Sequence, residues 1–122
     1  MDIETSLKSA LSIDGAIGAA LVDYETGMAL GSAGGDGFLN LELAAVGNTE
    51  VIRAKMRAIQ SLDLGDEIED ILITLGKQYH IIRLLHTARP GALFLYLALD
   101  RNQANLALAR HELRRIESLL DA

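Results

Sequence analysis

The segment from Leu41 to Leu62 carries more apolar surface than one face of a helix holds. A helix turns by about 100° per residue, so residues three and four positions apart share a side. One apolar side can pack on a sheet, but a second side needs another partner. In a chain of 122 residues the simplest partner is a second copy. The first side carries Leu41, Ala44, Ala45, Ile52, Ile59 and Leu62, and the second carries Leu43, Val46, Val51, Ala54 and Ala58.

Two further helices are predicted near the ends of the chain. Ile3, Leu7 and Leu11 recur at helical spacing, which predicts a short helix that ends near Ser12. Asp100 is predicted as the N-cap of the last helix, because its carboxylate suits the free N–H groups of a first turn. That helix has the clearest periodicity in the sequence, and its apolar stripe consists of Leu106, Ala109, Leu113, Ile116 and Leu120.

Apolar runs separated by turn residues predict five strands. The segment Gly31 to Gly37 predicts a mobile loop before the long helix, because glycine disfavours regular structure. The strand over 92–99 is apolar on both faces and is therefore expected at the centre of the sheet, whereas Ile68 to Leu75 is a candidate edge. The predicted strands span residues 16–22, 28–30, 68–75, 79–85 and 92–99.

The order of elements, αββαβββα, predicts an α+β fold with three layers, α/β/α. We expect a five-stranded antiparallel sheet with the middle helix on one face and the two terminal helices on the other. In the central strand, one face should bury Leu93, Leu95, Leu97 and Leu99, and the other should bury Phe94 and Tyr96.

Length and composition predict one domain over residues 1–122, since half of the residues are hydrophobic and can form one core. The chain has no cysteine, which excludes disulfides, thiolate nucleophiles and thiolate zinc sites. The acidic first residues, Met1 to Glu4, do not resemble a secretion signal. No apolar run approaches the roughly 18 to 20 residues that span a bilayer. We therefore expect a cytoplasmic protein without membrane insertion.

The net charge of −6 argues against a nucleic-acid partner, because phosphate binding depends on lysine and arginine. Two local groups of basic residues exist, but acidic residues are interleaved with both. These groups are therefore predicted to be solvated helix faces. They consist of Arg53, Lys55 and Arg57 in the long helix and Arg110, Arg114 and Arg115 near the C-terminus.

Signatures of catalysis, cofactor binding and metal binding are lacking in the sequence. The glycine-rich segment has neither the Gly-Lys-Ser/Thr ending of a P-loop nor Gly-x-Gly-x-x-Gly spacing. His80 and His86 lie six positions apart in a predicted strand, about 20 Å, which is too far for one metal ion, and His111 is alone. The acidic residues between Asp66 and Asp70 are predicted to be solvated. We therefore expect no enzyme, no cofactor and no metal.

Several strings along the chain resemble the roadblock dynein light-chain family, which is related to the longin and profilin-like folds. They are IDGA at residues 13–16, VDYETG at 22–27, LYLALDR at 95–101 and NLALAR at 105–110. The resemblance covers nearly the whole chain. It implies a homodimer or heterodimer in which the middle helices pack together and edge strands join two sheets. It also implies a role as regulator or scaffold of small Ras-like GTPases.

The predicted dimer interface combines the long helix with the candidate edge strand. Gly47, Asn48 and Ile52 are hypothesised to lie near the dimer axis, because Gly47 permits close approach of two backbones. The alternative is a local packing irregularity in the helix. The full set of predicted interface residues is Ala45, Gly47, Asn48, Ile52, Ile59, Ile71 and Ile73.

The leading hypothesis from the sequence is a non-enzymatic dimeric regulator or scaffold of a small GTPase. Any stimulation of hydrolysis would reposition the partner's own groups or supply an arginine in trans, for which Arg53 and Arg57 are the candidates. One alternative is a small-molecule sensor, since three-layer folds can enclose a ligand between sheet and helix. A purely structural oligomerisation module is the other alternative.

Overall fold

The computed structural model describes residues 1–86 and 91–121. The strands form an antiparallel five-stranded sheet in the order β2-β1-β5-β4-β3, which confirms the predicted fold class and element order. The central position of β5 is also confirmed. The elements are α1 (Ile3–Leu11), β1 (Ala16–Asp23), β2 (Met28–Gly34), α2 (Leu41–Ser61), β3 (Asp70–Thr74), β4 (Gln78–Leu85), β5 (Leu93–Asp100) and α3 (Leu106–Leu119).

Each helix begins at a polar side chain that accepts a hydrogen bond from a backbone N–H of the first turn. Asp2 caps α1 and Asn40 caps α2. The prediction that Asp100 caps α3 is wrong, because Asp100 ends β5 and Asn105 is the cap. The Asp100 carboxylate accepts instead from the Asn102 N–H at 2.9 Å, within the turn that separates the strand from the helix.

Two hydrophobic clusters cover the two faces of the sheet. On one face α1 and α3 pack against the alternating leucines of β5, from Leu93 to Leu99. On the other face α2 packs against Phe94 and Tyr96. The predicted division of β5 side chains between the faces is confirmed. Alternate residues of one strand therefore reach separate cores, and β5 is buried on both sides.

The glycine-rich segment is not a loop along its whole length. The prediction of a mobile loop over Gly31–Gly37 is wrong for its first half, because β2 continues to Gly34 and pairs with β1. Glycine is needed here for close packing. A Cβ on Gly31 would lie 2.9 Å from Cδ1 of Leu7 and 3.1 Å from Cγ2 of Ile3, both on α1. The absent side chain thus lets α1 pack directly on the strand.

The far side of the sheet ends at β3, as predicted for an edge strand. It spans Asp70–Thr74, which is shorter than the predicted 68–75. In the described part of the chain β3 pairs with β4 alone. The carboxylate of Asp70 accepts two hydrogen bonds from Arg110 of α3, both at 3.0 Å. This bidentate pair holds the edge strand against the helix layer.

Candidate interaction face of helix α2

Helix α2 carries apolar side chains that its own sheet leaves uncovered. We call the exposed residues Leu43, Val46, Gly47 and Val51 the outer face of α2. Leu43 is 69% exposed and Val46 is 52% exposed. The opposite side of the helix is buried against the sheet through Leu41, Ala45, Thr49 and Ile52. The sequence-based expectation of surplus apolar surface on this helix is therefore confirmed.

Ala45 and Ile52, two of the predicted interface residues, lie between α2 and its own sheet. Ala45 is 1% exposed and Ile52 is 0% exposed. Both belong to the hydrophobic cluster around Phe94 and Tyr96. A second copy has no surface to contact at either position, so neither Ala45 nor Ile52 is available to a partner. The helical pattern itself placed them on the same side as Leu41, which is the side that faces the sheet.

The other predicted interface residues retain accessible surface. Gly47 is exposed, and a Cβ built there would have no neighbour within 4 Å, so the space outside this helix is open. Asn48 and Ile59 are half-buried. Ile71 and Ile73 on β3 are half-buried as well and pack on the same core as α2. The fold thus brings the outer helix residues and the edge strand to one side of the sheet.

One face of the sheet has two helices, whereas the other has a single helix. On the first face α1 covers β1 and β2, and α3 contributes Leu113 and Ile116 to the core beside Ile81 of β4. On the second face α2 lies over β1 and β2. Between α2 and strands β4 and β5 a groove of about 290 Å³ remains. We call it the α2 groove; its lining includes Phe38, Leu43, Gly47, Asn48, His80 and Tyr96.

A chain of polar side chains lies at the floor of the α2 groove. The hydroxyl of Tyr96 and Nδ1 of His80 are 3.1 Å apart, and the two rings meet edge to face. Nε2 of His80 lies 2.8 Å from Oε1 of Gln78, and Asn48 of α2 lies beside the tyrosine hydroxyl in the same groove. The sequence alone identified no partner for His80. The alternation along β4, which puts His80 on the face of Ile82, was the signal that it lies beneath α2.

Burial shifts the ionisation of both rings at the groove floor. It lowers the pKa of His80 below the ordinary 6.5, because the charged imidazolium loses hydration. It raises the pKa of Tyr96 to about 12, against the smaller opposing effect of the Asn48 hydrogen bond. The tyrosine is therefore protonated at neutral pH, and the neutral form of His80 is favoured.

Arg53, one of the two arginines considered for action in trans, is bound within its own chain. Its guanidinium donates to the carbonyl oxygen of Tyr24 at 3.1 Å and to that of Glu25. These bonds fasten the β1–β2 turn to α2. Arg57 is exposed one turn later. Of these two arginines, Arg53 therefore has a structural contact within its own chain, and Arg57 makes no such hydrogen bond in the described structure.

A second concave region lies at the C-terminal end of α2. It is a cleft of about 630 Å³ whose lining combines apolar side chains such as Met56 and Ile59 with acidic ones such as Asp63 and Glu67. His86 lies at its rim, with Nε2 2.9 Å from the carbonyl oxygen of Ile68 and Nδ1 3.7 Å from the carboxylate of Glu67.

Over residues 1–86 and 91–121 no group of three or more histidine or acidic side chains is arranged to hold a metal ion. No helix in these ranges is long and apolar enough to cross a membrane.

Solved structures share this fold over nearly the whole chain, although no protein-family model and no curated protein matches the sequence. The roadblock/LC7 domain from Streptomyces avermitilis has a TM-score of 0.81 at 11% identity, with 98% of this chain and 94% of that chain covered. An MglB structure with a tetrameric arrangement has a TM-score of 0.78 at 17% identity, with coverage of 95% and 82%. The gliding protein MglB from Thermus thermophilus has a TM-score of 0.75 at 17% identity, with coverage of 93% and 82%. The chain therefore has the roadblock/LC7 fold, which the resemblance in its sequence predicted.

Proposed function

We propose that this protein is a non-enzymatic dimeric regulator or scaffold of a small Ras-like GTPase. The observation that carries the proposal is the outer face of α2, where Leu43 and Val46 expose apolar surface and Leu43 also lines an uncovered groove. Exposed apolar side chains that adjoin a groove are typical of a protein–protein contact. The GTPase partner comes from the resemblance to the roadblock family, and the roadblock fold supports it.

The unequal covering of the two sheet faces supports a dimer. A second α2, related by a two-fold axis, would lie over the β3–β4 half of this sheet and would occupy the position that α3 occupies on the other face. Gly47 would let the two helix backbones approach closely. The β3 edge lies on the same side and can pair with its copy. The tetrameric arrangement of an MglB structure with this fold favours self-association.

A regulatory role without catalysis fits the chemistry of the described residues. His80 is bound to Tyr96 and Gln78, and Arg53 is bound to carbonyl oxygens of its own chain. Neither is positioned as a general base or as a free cation for a phosphoryl group. The protein would therefore act on a GTPase through its surface, by ordering or holding the partner.

Capture of a GTPase in a defined nucleotide state tests the proposal. Purified protein and its Val46→Glu variant are immobilised and exposed to native lysate supplemented with GDP or with a non-hydrolysable GTP analogue. We expect the wild-type protein to retain a Ras-like GTPase in one nucleotide state, and the variant to lose it. The retained GTPase is then produced alone and its affinity for each protein is measured. Recovery of no GTPase in either state would contradict the proposal.

The cleft at the end of α2 supports a second candidate function, that of a small-molecule sensor. Its volume of about 630 Å³ lies within the range of ligand pockets. A ligand that binds only the folded state raises the melting temperature, by an amount that grows with the logarithm of the ligand concentration above the dissociation constant. A thermal-shift screen of metabolites separates the two functions. A metabolite that stabilises the wild-type protein, and does so less after Met56→Glu within the cleft, favours the sensor.

A further inference from the structure

The polar chain in the α2 groove has one consistent arrangement of protons when His80 is neutral. Oε1 of Gln78 accepts, so Nε2 of His80 carries the hydrogen. Nδ1 is then an acceptor and receives the hydroxyl hydrogen of Tyr96. On its other side the tyrosine hydroxyl lies beside Asn48 of α2, which lines the same groove. The two hydrogen bonds therefore run in one direction, from Tyr96 of β5 through His80 to Gln78 of β4.

A proton on His80 breaks this arrangement at the tyrosine. With Nδ1 protonated, the imidazolium donates to the oxygen of Tyr96, and the tyrosine hydrogen must turn to another acceptor. In the open groove, water can accept it. When the groove is covered by an apolar surface, that hydrogen and the new positive charge both lose hydration. The cost of protonation therefore depends on whether the groove is covered.

We propose that His80 makes the association of two copies depend on pH, with the dimer favoured when His80 is neutral and weakened when it is protonated. The inference rests on the proposed dimer, in which the partner's α2 covers the groove. The direction of the pH effect follows from the linkage between proton binding and dimerisation. Covering disfavours the charged form, so the monomer binds more protons than the dimer, and acidification shifts the equilibrium toward monomers. Since burial already lowers the pKa of His80 in one chain, the change falls below pH 6.5.

The surroundings of His80 contain few other groups that titrate. From β5 it meets Tyr96, and from β3 the apolar Ile73 lies opposite it in the sheet register. The α2 side of the groove contributes Asn48 and apolar residues, and no carboxylate or cationic side chain lines the groove in the described part of the chain. Asp100 lies opposite Gln78 in the register and binds the N–H of its own turn.

The general charge of the protein would have the opposite effect. At neutral pH each copy has a net charge of −6, and two such copies repel each other. Acidification reduces this charge and by itself would strengthen association. A weakening of the dimer between pH 7.5 and 5.5 is therefore a specific signature of a group that is charged in the monomer and neutral in the dimer.

Sedimentation equilibrium of the wild-type protein at several pH values tests the inference. We expect the dimer dissociation constant to be nearly constant above pH 7 and to rise on acidification below pH 6.5, with a limiting slope of about 100-fold per pH unit, since each of the two copies takes up one proton. The His80→Gln variant keeps a neutral donor and acceptor and should flatten the profile. His111→Gln, an exposed position on α3 away from the groove, is the matched control and should leave the rise unchanged.

Nuclear magnetic resonance of the imidazole of His80 provides a readout that needs no variant. Its pKa should be lower at a protein concentration where dimers dominate than at one where monomers dominate. An unchanged pKa, or a pH-independent dissociation constant of the wild-type dimer, would overturn the inference and leave the proposed dimer standing. A protein that stays monomeric at every pH would instead overturn the proposed function. A rise that persists in His80→Gln would also assign the proton to another group and overturn the inference.

Discussion

Replacing Val46 with glutamate places a charge on the outer face of α2 with little consequence for the monomer. The side chain is 52% exposed, so a carboxylate there remains in contact with water when the chain is alone. The same replacement at Ile52 would unfold the chain, because that side chain is fully buried beneath α2. Val46→Glu therefore separates loss of association from loss of folding, which Ile52→Glu does not.

The expected effect follows from the area that a partner would cover. Burying a whole valine side chain contributes roughly 1.5 to 3 kcal/mol, and the exposed half of Val46 accounts for about 1 kcal/mol. A two-fold interface counts this contribution twice, so about 2 kcal/mol of dimer stability is lost. That corresponds to a rise of roughly 30-fold in the dimer dissociation constant. Desolvation of two carboxylates near the axis adds to the loss, so 30-fold is a lower estimate.

Sedimentation velocity over a concentration series measures the change directly. Leu108→Glu is the matched control, since Leu108 is 43% exposed on α3, on the opposite side of the sheet. We expect the control to keep the wild-type dissociation constant and Val46→Glu to sediment as a monomer over a wider range. Circular dichroism checks that both variants are folded. A folded Val46→Glu variant with the wild-type dissociation constant would refute the placement of the Val46 side of α2 at the interface.

Two further changes test the monomer fold. Glu117→Ala removes the carboxylate that accepts a hydrogen bond from Nε of Arg83 at 2.9 Å. It should lower the free energy of unfolding, measured in urea, by roughly 3 kcal/mol, because a nearly buried arginine loses its partner. An unchanged urea midpoint would contradict this prediction. Gly34→Ala should lower the melting temperature more than Gly37→Ala. Both glycines have positive φ, but only at Gly34 would a Cβ lie 2.6 Å from the carbonyl oxygen of Ile17. Equal shifts in melting temperature would show that φ alone determines the loss of stability.

Much of the fold can be predicted from the sequence because its hydrophobic periodicities are strong. The stripe of α3 and the two apolar faces of β5 each identify an element and its burial, and both agree with the structure. The local sequence pattern does not predict where β2 ends, for a physical reason. Glycine at Gly31 and Gly34 usually indicates a loop, but here it removes side chains where α1 packs closely on the strand. That close contact is tertiary, and a local pattern does not contain it.

The polar residue Thr49 illustrates a second limit of the pattern. It interrupts the apolar side of α2, yet it is buried, because its hydroxyl donates to the carbonyl oxygen of Ala45 at 2.7 Å within the same helix. A hydroxyl that is satisfied locally can face the core at little cost. The polar chain from Gln78 through His80 to Tyr96 depends instead on the pairing of β4 with β5, which only the folded chain brings together.

The unequal covering of the sheet gives a physical reason why interaction and stability are located on different faces. On the side of α1 and α3, the ion pairs Arg83–Glu117 and Asp70–Arg110 join the helix layer to the strands, and that face is complete in one chain. On the side of α2, one helix leaves a groove with a satisfied polar floor and an apolar rim. Changes at that rim cost the monomer little, whereas they change any contact made across it. The sequence of α2 is therefore free to determine the partner without compromising the fold.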